Sequence, residues 1–487
     1  MSLSFDPASV TLPRGHFIAG EWVGDRDGID LRRPSDAAAF ATCPVADADL
    51  VDRAVAAARR ALATSGWARI APRDRARALH RWADLIEAEA ETLARLEAVV
   101  STRPISELIA GDVPVTAEQI RFFAEFADKE GGELVPTGSD SFGMIATEPY
   151  GVVGAITPWN FPLNMAGWKL GPALAAGNAV VLKPSEMTPF STLYLAQLSV
   201  RAGLPAGLIN IVLGDGRTTG TAITGHPDIA KVSFTGSTAA GSAIMENIAR
   251  TGIKPMTLEL GGKSPQLVFA DADLPQAAAA IARSILGNAG QACVAGSRLI
   301  VAESVAEELV GLIVERMRAV RPGPTWDAAS AYSPIISERQ IGRMASIVDA
   351  AVAQGARCRL GGERLDHAGY FYAPTVLEAV DAASPAVTEE IFGPVLTVQN
   401  FREEEEGLGL ADHPTYGLCA GLYTRDLSGA LRAINRLQAG TVWVNRYGRS
   451  RDHILPTGGY KQSGLGKDLG REAYLANRKS KSVLIAL

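Results

Sequence analysis

Three residues in this chain could share one piece of carbonyl chemistry: Cys293 in GNAGQACVAGSR, Glu259 in TLELGGKSP and Asn160 in ITPWNFPL. A cysteine thiol ordinarily titrates at ~8.5, so modest help makes it a thiolate nucleophile. Cys293 sits among Gly, Ala and Val, residues small enough to admit a substrate carbonyl and leave backbone N–H groups room to face it. Free cysteines are more often small buried hydrophobes, so this setting alone decides nothing. Glu259 lies between Leu258 and Leu260, where a carboxylate costs free energy unless paired, hydrated or neutralised. Desolvation would raise it into the range of a general base. Backbone donors at Gly261 and Gly262 could equally satisfy it as a core residue. Asn160 falls between Pro158 and Pro162, which fix the backbone and hold the amide. A held amide N–H can serve an oxyanion; a cap or turn residue is the plainer alternative.

A second group of segments could cradle phosphate. LGDGRTTG places Gly214, Gly216 and Gly220 after a strand-like run, one residue too long for the dinucleotide fingerprint. SFTGSTAAG offers Gly236 and Ser237 at the start of a small-residue helix, where free N–H groups and the helix dipole favour a pyrophosphate. VLKPSEMTP adds Lys183 and Glu186 at the end of another strand. A carboxylate there could accept ribose hydroxyls and repel a 2′-phosphate, although a surface Lys/Glu pair reads the same in isolation.

The elements that must carry these residues follow from the patterning. After a β-like opening, HFIAGEWVG, helical periodicity runs through DLVDRAVAAARRALATSGW, PRDRARALHRWADLIEAEAETLARLEAVV and a third segment near 105–127. ELVPTG and FGMIATEP read as two short strands around a turn. From 151, the short runs VVGAI, NAVVLK, LINIVL, AKVSF and MTLEL alternate with helices expected near 163–176, 190–202, 217–225 and 238–250. PQLVF, RLIVA, PTVLE, PVLTVQ, GLCAGLY and TVWVN then alternate with helices near 274–289, 304–319, 339–354 and 427–438. Such alternation is the pattern of βαβ units, and it predicts two α/β domains with a strand-bearing tail, KSVLIAL.

The chain as a whole narrows the classes. Its 487 residues exceed the usual size of one domain. A 47% hydrophobic and 21% charged composition is that of a soluble globular protein. A net charge of -6 with interspersed signs argues against nucleic acid, and REEEE at 402–406 reads as a solvated helix start. No apolar run is long enough to span a bilayer and no signal peptide is visible, so a membrane partner is not expected. Cys43, Cys293, Cys358 and Cys419 lie far apart without metal-ligand spacing. Reduced thiols, a cytoplasmic location and no metal are the expectation.

Taken together, PYGVVGAITPWNFPL, VLKPSEMTP, SFTGST, LELGGKSP, GQACVAGSR, EEIFGPVL, YGLCAGLY and GGYKQSGLG resemble the NAD(P)-dependent aldehyde dehydrogenase superfamily, in its non-phosphorylating, hydrolytic branch. The motifs keep the family's order and separations, including the 34 residues from Glu259 to Cys293. The resemblance implies Cys293 as nucleophile, Asn160 with the Cys293 backbone N–H as oxyanion hole, Glu259 as the base that activates the deacylating water, and Lys169 as a lysine near the active site. It implies Thr157, Trp159, Lys183, Ser185, Glu186, Gly216, Gly236, Ser237, Leu260, Glu390 and Phe392 as cofactor contacts. The cofactor is expected to be NAD, favoured by Glu186, with NADP as the alternative. The implied architecture is two doubly wound α/β domains with a small β oligomerisation module. A Rossmann-like cofactor domain covers 1–126 and 150–260, a catalytic domain covers 261–455, and bridging segments cover 127–149 and 456–487. A homo-oligomer, either a dimer or a dimer of dimers, follows, with a small-molecule aldehyde as substrate.

The departures concern the substrate mouth. Thr457 stands where many members carry Phe, and NRYGRSRDHILP supplies Arg446, Arg449, Arg451 and His453. These cations suggest a polar or acidic aldehyde, although intersubunit or backbone contacts would explain them as well. VVSTRPISEL lacks the more usual Gly-Lys-Pro, which reads as scaffold variation. A CoA-acylating semialdehyde dehydrogenase is the nearest rival, disfavoured because a hydrolytic base is of little use there. A cofactor-independent cysteine acyltransferase or thioesterase is disfavoured by the ribose and phosphate positions.

Overall fold

A computed structural model describes residues 3–24, 28–449 and 452–487. Two large sheets dominate it. The first has eight strands, in the order Glu21–Val23, His16–Ile18, Ile209–Ile211, Ala179–Lys183, Val152–Ile156, Lys231–Thr235, Met256–Glu259 and Gly464–Leu465. Its five central strands run parallel. The sequence order reverses beside Val152–Ile156, so a crevice opens where the strands on either side of that point end; open α/β sheets bind ligands there. The β-branched runs predicted this burial: every residue of Val152–Ile156, Ala179–Lys183 and Lys231–Thr235 is buried, as strands covered by helices on both faces must be.

The covering helices start and stop where local chemistry dictates. Ala48–Ser65 is capped by the Asp47 carboxylate on Leu50 N–H and closed by Gly66 in the left-handed region. Thr238–Thr251 is capped by Ser237, whose hydroxyl accepts from Ala240 N–H. Pro162–Ala175 begins on its own proline, at the helix position that has no N–H to lose. The helical segment expected near 105–127 is present but irregular: a π-helical turn, Leu108–Asp112, joins Ile105–Glu107 to Val113–Phe126.

The second sheet has seven strands, in the order Arg357–Leu360, Thr375–Glu378, Val395–Phe401, Arg298–Ala302, Pro265–Val268, Cys419–Tyr423 and Thr441–Val444. All are parallel except the edge strand Arg357–Leu360. The helix expected at 274–289 ends at Leu286, and the next residues form a short turn, Gly287–Gly290, just before Cys293. The acidic run becomes a helix start: Glu404, Glu405 and Glu406 occupy the first turn of Glu404–Ala411. A third sheet pairs Arg478–Ala486 antiparallel with Ser141–Pro149, which in turn pairs with Glu133–Val135. No helix among the described residues is long and apolar enough to cross a membrane.

Candidate active site

Cys293 follows a backbone segment of unusual shape. Asn288 and Ala289 both have φ 50°, and Gly290 has φ 70°, so three consecutive residues are left-handed and two of them carry the steric cost of a Cβ. Side chains hold the turn. Gln291 donates through Nε2 to the carbonyls of Asn288 and Pro334, both at 2.9 Å, and its Oε1 accepts from Ile336 N–H at 2.9 Å. Asn288 donates to the Asn160 carbonyl at 3.0 Å and accepts from Thr102 Oγ1 at 2.6 Å. Asn160 donates through Nδ2 to the Gln291 carbonyl at 2.9 Å. The expected oxyanion donor and the expected nucleophile are therefore built into one hydrogen-bonded unit. Neither Asn288 nor Gln291 was singled out from the sequence; the Asn itself is the one local hint, because Asn tolerates positive φ.

Burial pushes Cys293 up to about 11, with Glu390 and Glu259 acting in the same direction and Arg449 opposing them. The expectation that modest help would yield a thiolate is met by a stronger opposing desolvation than the small neighbours suggested.

Glu259 ends its strand beside Thr235, with its Oε1 buried and without a hydrogen-bond partner. Burial pushes the carboxyl up to about 8, Asp468 adds to the rise, and Lys169, Arg449 and Lys467 oppose it. The two glycines that follow do not quench the carboxylate. Instead Gly262 lets the chain pass beneath the nucleophile: a Cβ there would lie 2.5 Å from the Cys293 carbonyl oxygen. A Cβ on Gly458 would stand 2.8 Å from Glu259 Oε1, so the segment after Thr457 closes over the base. Lys169 ion-pairs with Asp468 at 2.5 Å, both side chains buried, which makes it part of the charge environment of Glu259.

Most of the expected cofactor residues lie at or just beyond the ends of first-sheet strands, whereas Glu390 and Phe392 precede the second-sheet strand Val395–Phe401. Thr157 is buried with an unpartnered hydroxyl. Lys183 donates to the carbonyls of Gly214 at 2.8 Å and Pro184 at 3.0 Å and lies 3.5 Å from Glu186, whose carboxylate is partly exposed. Ser185 is buried beside them. Open space surrounds Gly216, where an added Cβ would meet nothing within 4 Å. Gly236 donates to the Glu259 carbonyl at 3.0 Å, which ties the helix start at Ser237 to the catalytic strand. Trp159 and Phe392 meet edge to face at 5.3 Å, and Phe392 has φ 56°, a strained value for an aromatic residue. Glu390 accepts from Gly262 N–H at 3.0 Å, and burial raises its carboxyl to about 7. Leu260 is buried over Gly241. Gln340 and Arg343, unmarked by any sequence motif, hold the Phe392 loop by donating to its carbonyls. A reversal-point crevice with a helix N-terminus, open glycine space and a partly exposed carboxylate fits a dinucleotide.

The cations of the substrate mouth separate. Arg446 is exposed and donates to Gly448 O at 3.2 Å. Arg451 lies outside the described residues. His453 is buried, has φ 56°, and packs edge to face on Phe122. Arg449 turns toward the site, donating to Thr457 Oγ1 at 2.8 Å with its guanidinium 4.9 Å from the Trp168 ring centroid. The described residues contain no group of three or more His, Cys, Asp or Glu placed to hold a metal ion.

Comparison with known proteins agrees with this geometry. The aldehyde dehydrogenase family model matches residues 22–483. An aldehyde dehydrogenase of Aspergillus niger is 41% identical over 463 residues, covering 95% of this chain and 93% of its own. The structure of an indole-3-acetaldehyde dehydrogenase complexed with NAD+ superposes with TM-score 0.96 at 39% identity, covering 99% of this chain and 98% of that one. A betaine aldehyde dehydrogenase of Staphylococcus aureus, also in complex with NAD+, gives TM-score 0.93 at 36% identity, covering 98% and 95%. With a family model matched over nearly its whole length and relatives at 41% identity, the chain belongs to the aldehyde dehydrogenase family and oxidises an aldehyde to the carboxylic acid.

Proposed function

We propose that Cys293 is the nucleophile, Asn160 and the Cys293 backbone N–H the oxyanion donors, and Glu259 the base of a hydrolytic, NAD-linked aldehyde oxidation. The observation that carries this reading is the buried, unpartnered Glu259 carboxyl beside the Cys293 loop that Asn160 anchors. NAD, when bound, supplies the acceptor for the hydride that leaves the substrate carbon. Lys183, Ser185 and Glu186 would hold its adenosine ribose, with Glu186 disfavouring a 2′-phosphate. Gly216, Gly236 and Ser237 would flank adenosine and pyrophosphate, and Thr157, Trp159, Leu260, Glu390 and Phe392 the nicotinamide end.

Cys293 loses its proton as sulfur adds to the aldehyde carbon. Asn160 and the backbone N–H stabilise the resulting oxyanion, each donor contributing ~3 kcal/mol. After hydride loss the acyl group remains on sulfur as a thioester. Glu259 takes a proton from water, the hydroxide adds to the thioester, and the carboxylate leaves Cys293. Overall, aldehyde, NAD+ and water give carboxylate, NADH and two protons. Lys169, paired to Asp468, tunes the base.

We infer the same three-part organisation for the whole chain: a cofactor domain of 1–126 and 150–260, a catalytic domain of 261–455, and bridging segments of 127–149 and 456–487. The strand Arg478–Ala486 has a free edge and exposes Leu484 and Ile485, which supports pairing with a second copy in a dimer or dimer of dimers. The four unpaired cysteines suit a cytoplasmic location. Following NADH at 340 nm with short aldehydes, with and without CoA, tests the reaction. NADH formation that requires CoA would replace hydrolysis with acyl transfer, and full turnover by Cys293→Ala would sink the assignment.

A further inference from the structure

Lys169, Arg449 and Lys467 set the charge around Glu259, and their partners differ: Lys467 donates to the Gly458 carbonyl at 2.8 Å. Lys169 is neutralised by Asp468 at 2.5 Å. Arg103, stacked 4.6 Å from the Phe161 ring centroid, is neutralised by Asp112 and Glu107, both at 2.7 Å. Among the described residues, Arg449 forms no ion pair with a carboxylate, and Thr457 Oγ1 is its one hydrogen-bond acceptor. It is half-buried.

Its position is fixed from three directions. Tyr447, two residues earlier, donates through its hydroxyl to the Val294 carbonyl at 2.6 Å, anchoring the segment to the residue after Cys293. Thr457, which takes the guanidinium hydrogen bond, is followed by Gly458 against the Glu259 carboxyl. Trp168, under the guanidinium, belongs to the helix that begins two residues after Asn160. The Arg449 charge acts on both the Cys293 thiol and the Glu259 carboxyl, opposing the rise that burial imposes on each. A planar guanidinium seated over an indole presents its remaining N–H donors as a fork, the shape that binds a carboxylate through two parallel hydrogen bonds.

We propose that Arg449 is the specificity-determining residue of this enzyme and that its substrate is an aldehyde bearing a carboxylate at the far end of a short chain. The proposal rests on the aldehyde-oxidising reading above and names the substrate class for that same site. The product is then a dicarboxylate, formed with the balance already given, and Arg449 takes no part in bond making. A half-buried cation without a carboxylate partner carries a desolvation cost. An incoming carboxylate relieves it, whereas a trimethylammonium aldehyde adds to it.

The test compares ω-carboxy aldehydes of several chain lengths with their methyl esters and with a trimethylammonium aldehyde. Wild-type enzyme should favour the best carboxy aldehyde over its ester by about 10–100-fold in kcat/KM, the range of one charge-assisted contact. Arg449→Met should remove that preference mainly through KM, and Arg449→Lys should retain part of it. A wild-type ratio of one or below overturns the proposal without any variant, so misfolding of a variant cannot protect it. Equal losses on acid and ester in Arg449→Met also overturn it, because they indicate a structural role. Turnover of the esters without preference removes only the carboxylate assignment; no NADH from any aldehyde removes the underlying reading as well.

Discussion

Asn160 Nδ2 donates to the carbonyl of Gln291, two residues before Cys293, at 2.9 Å. One amide hydrogen therefore orients the group, and among the described residues no acceptor takes the second. Asn160→Ala should lower the rate of the NADH burst by about 10²–10³, as loss of one oxyanion donor does elsewhere. Asn160→Asp should be no better, because it replaces the donor with an acceptor. Stopped-flow absorbance at 340 nm measures both; a burst unchanged in Asn160→Ala would remove Asn160 from the oxyanion hole.

Glu259 gives a prediction in pH. Burial pushes its carboxyl up to about 8, and the active form is the carboxylate, which grows as pH rises. Thioester hydrolysis in wild type should increase about tenfold per pH unit below about 8 and level off above it. Glu259→Gln should release about one NADH per site and then stall, with that slope gone. Single-turnover measurements between pH 6 and 9 decide; a flat wild-type profile counts against Glu259 as base.

The Cys293 thiol, raised to about 11, should be a slow target in the unliganded enzyme. Alkylation by iodoacetamide should accelerate about tenfold per pH unit from 7 to 10, tracking the thiolate fraction. Peptide mapping separates it from the exposed Cys358. Rapid labelling of Cys293 at pH 7 would show that desolvation does not hold the thiol protonated.

The strands were legible because their β-branched runs have no other use, and the residues proposed to touch reacting atoms lay in segments whose oddities (Pro158 and Pro162 around Asn160, Glu259 between leucines) are visible in one dimension. The scaffolding was not. Gln291 and Asn288 work through partners far along the chain, such as Thr102 and Pro334. Nothing local marks Gln340 as the residue that holds the Phe392 loop. The left-handed run at Asn288 and Ala289 interrupts what periodicity alone extends as helix to 289. The thiol's surroundings were hidden for the same reason: composition reports small neighbours, while desolvation also comes from Leu418, Cys419 and Trp443, which pack against Cys293.

Glu97, which no motif marks, yields the remaining prediction. Its Oε2 accepts from Leu163 N–H at 3.0 Å and Ser191 Oγ at 2.8 Å, so it pins the start of the helix that follows Asn160, while Oε1 is buried without a partner. Burial, reinforced by Asp112, pushes this carboxyl from 4.5 to about 8 against the opposing pull of Ser191, Leu163 N–H and Arg103. The folded state thus favours the protonated form. Its contribution to stability is fully present below the unfolded pKa of ~4.3 and is lost as pH rises through about 8. Glu97→Gln keeps the acceptor and removes the proton linkage. The stability of wild type relative to this variant should therefore fall by a few kcal/mol between about pH 5 and 9. Glu259 and Glu390 are raised in the same direction, but they are common to both proteins and cancel in the difference. Denaturant unfolding of the pair across that range measures it, and a difference independent of pH would mean that Glu97 is ionised in the folded protein.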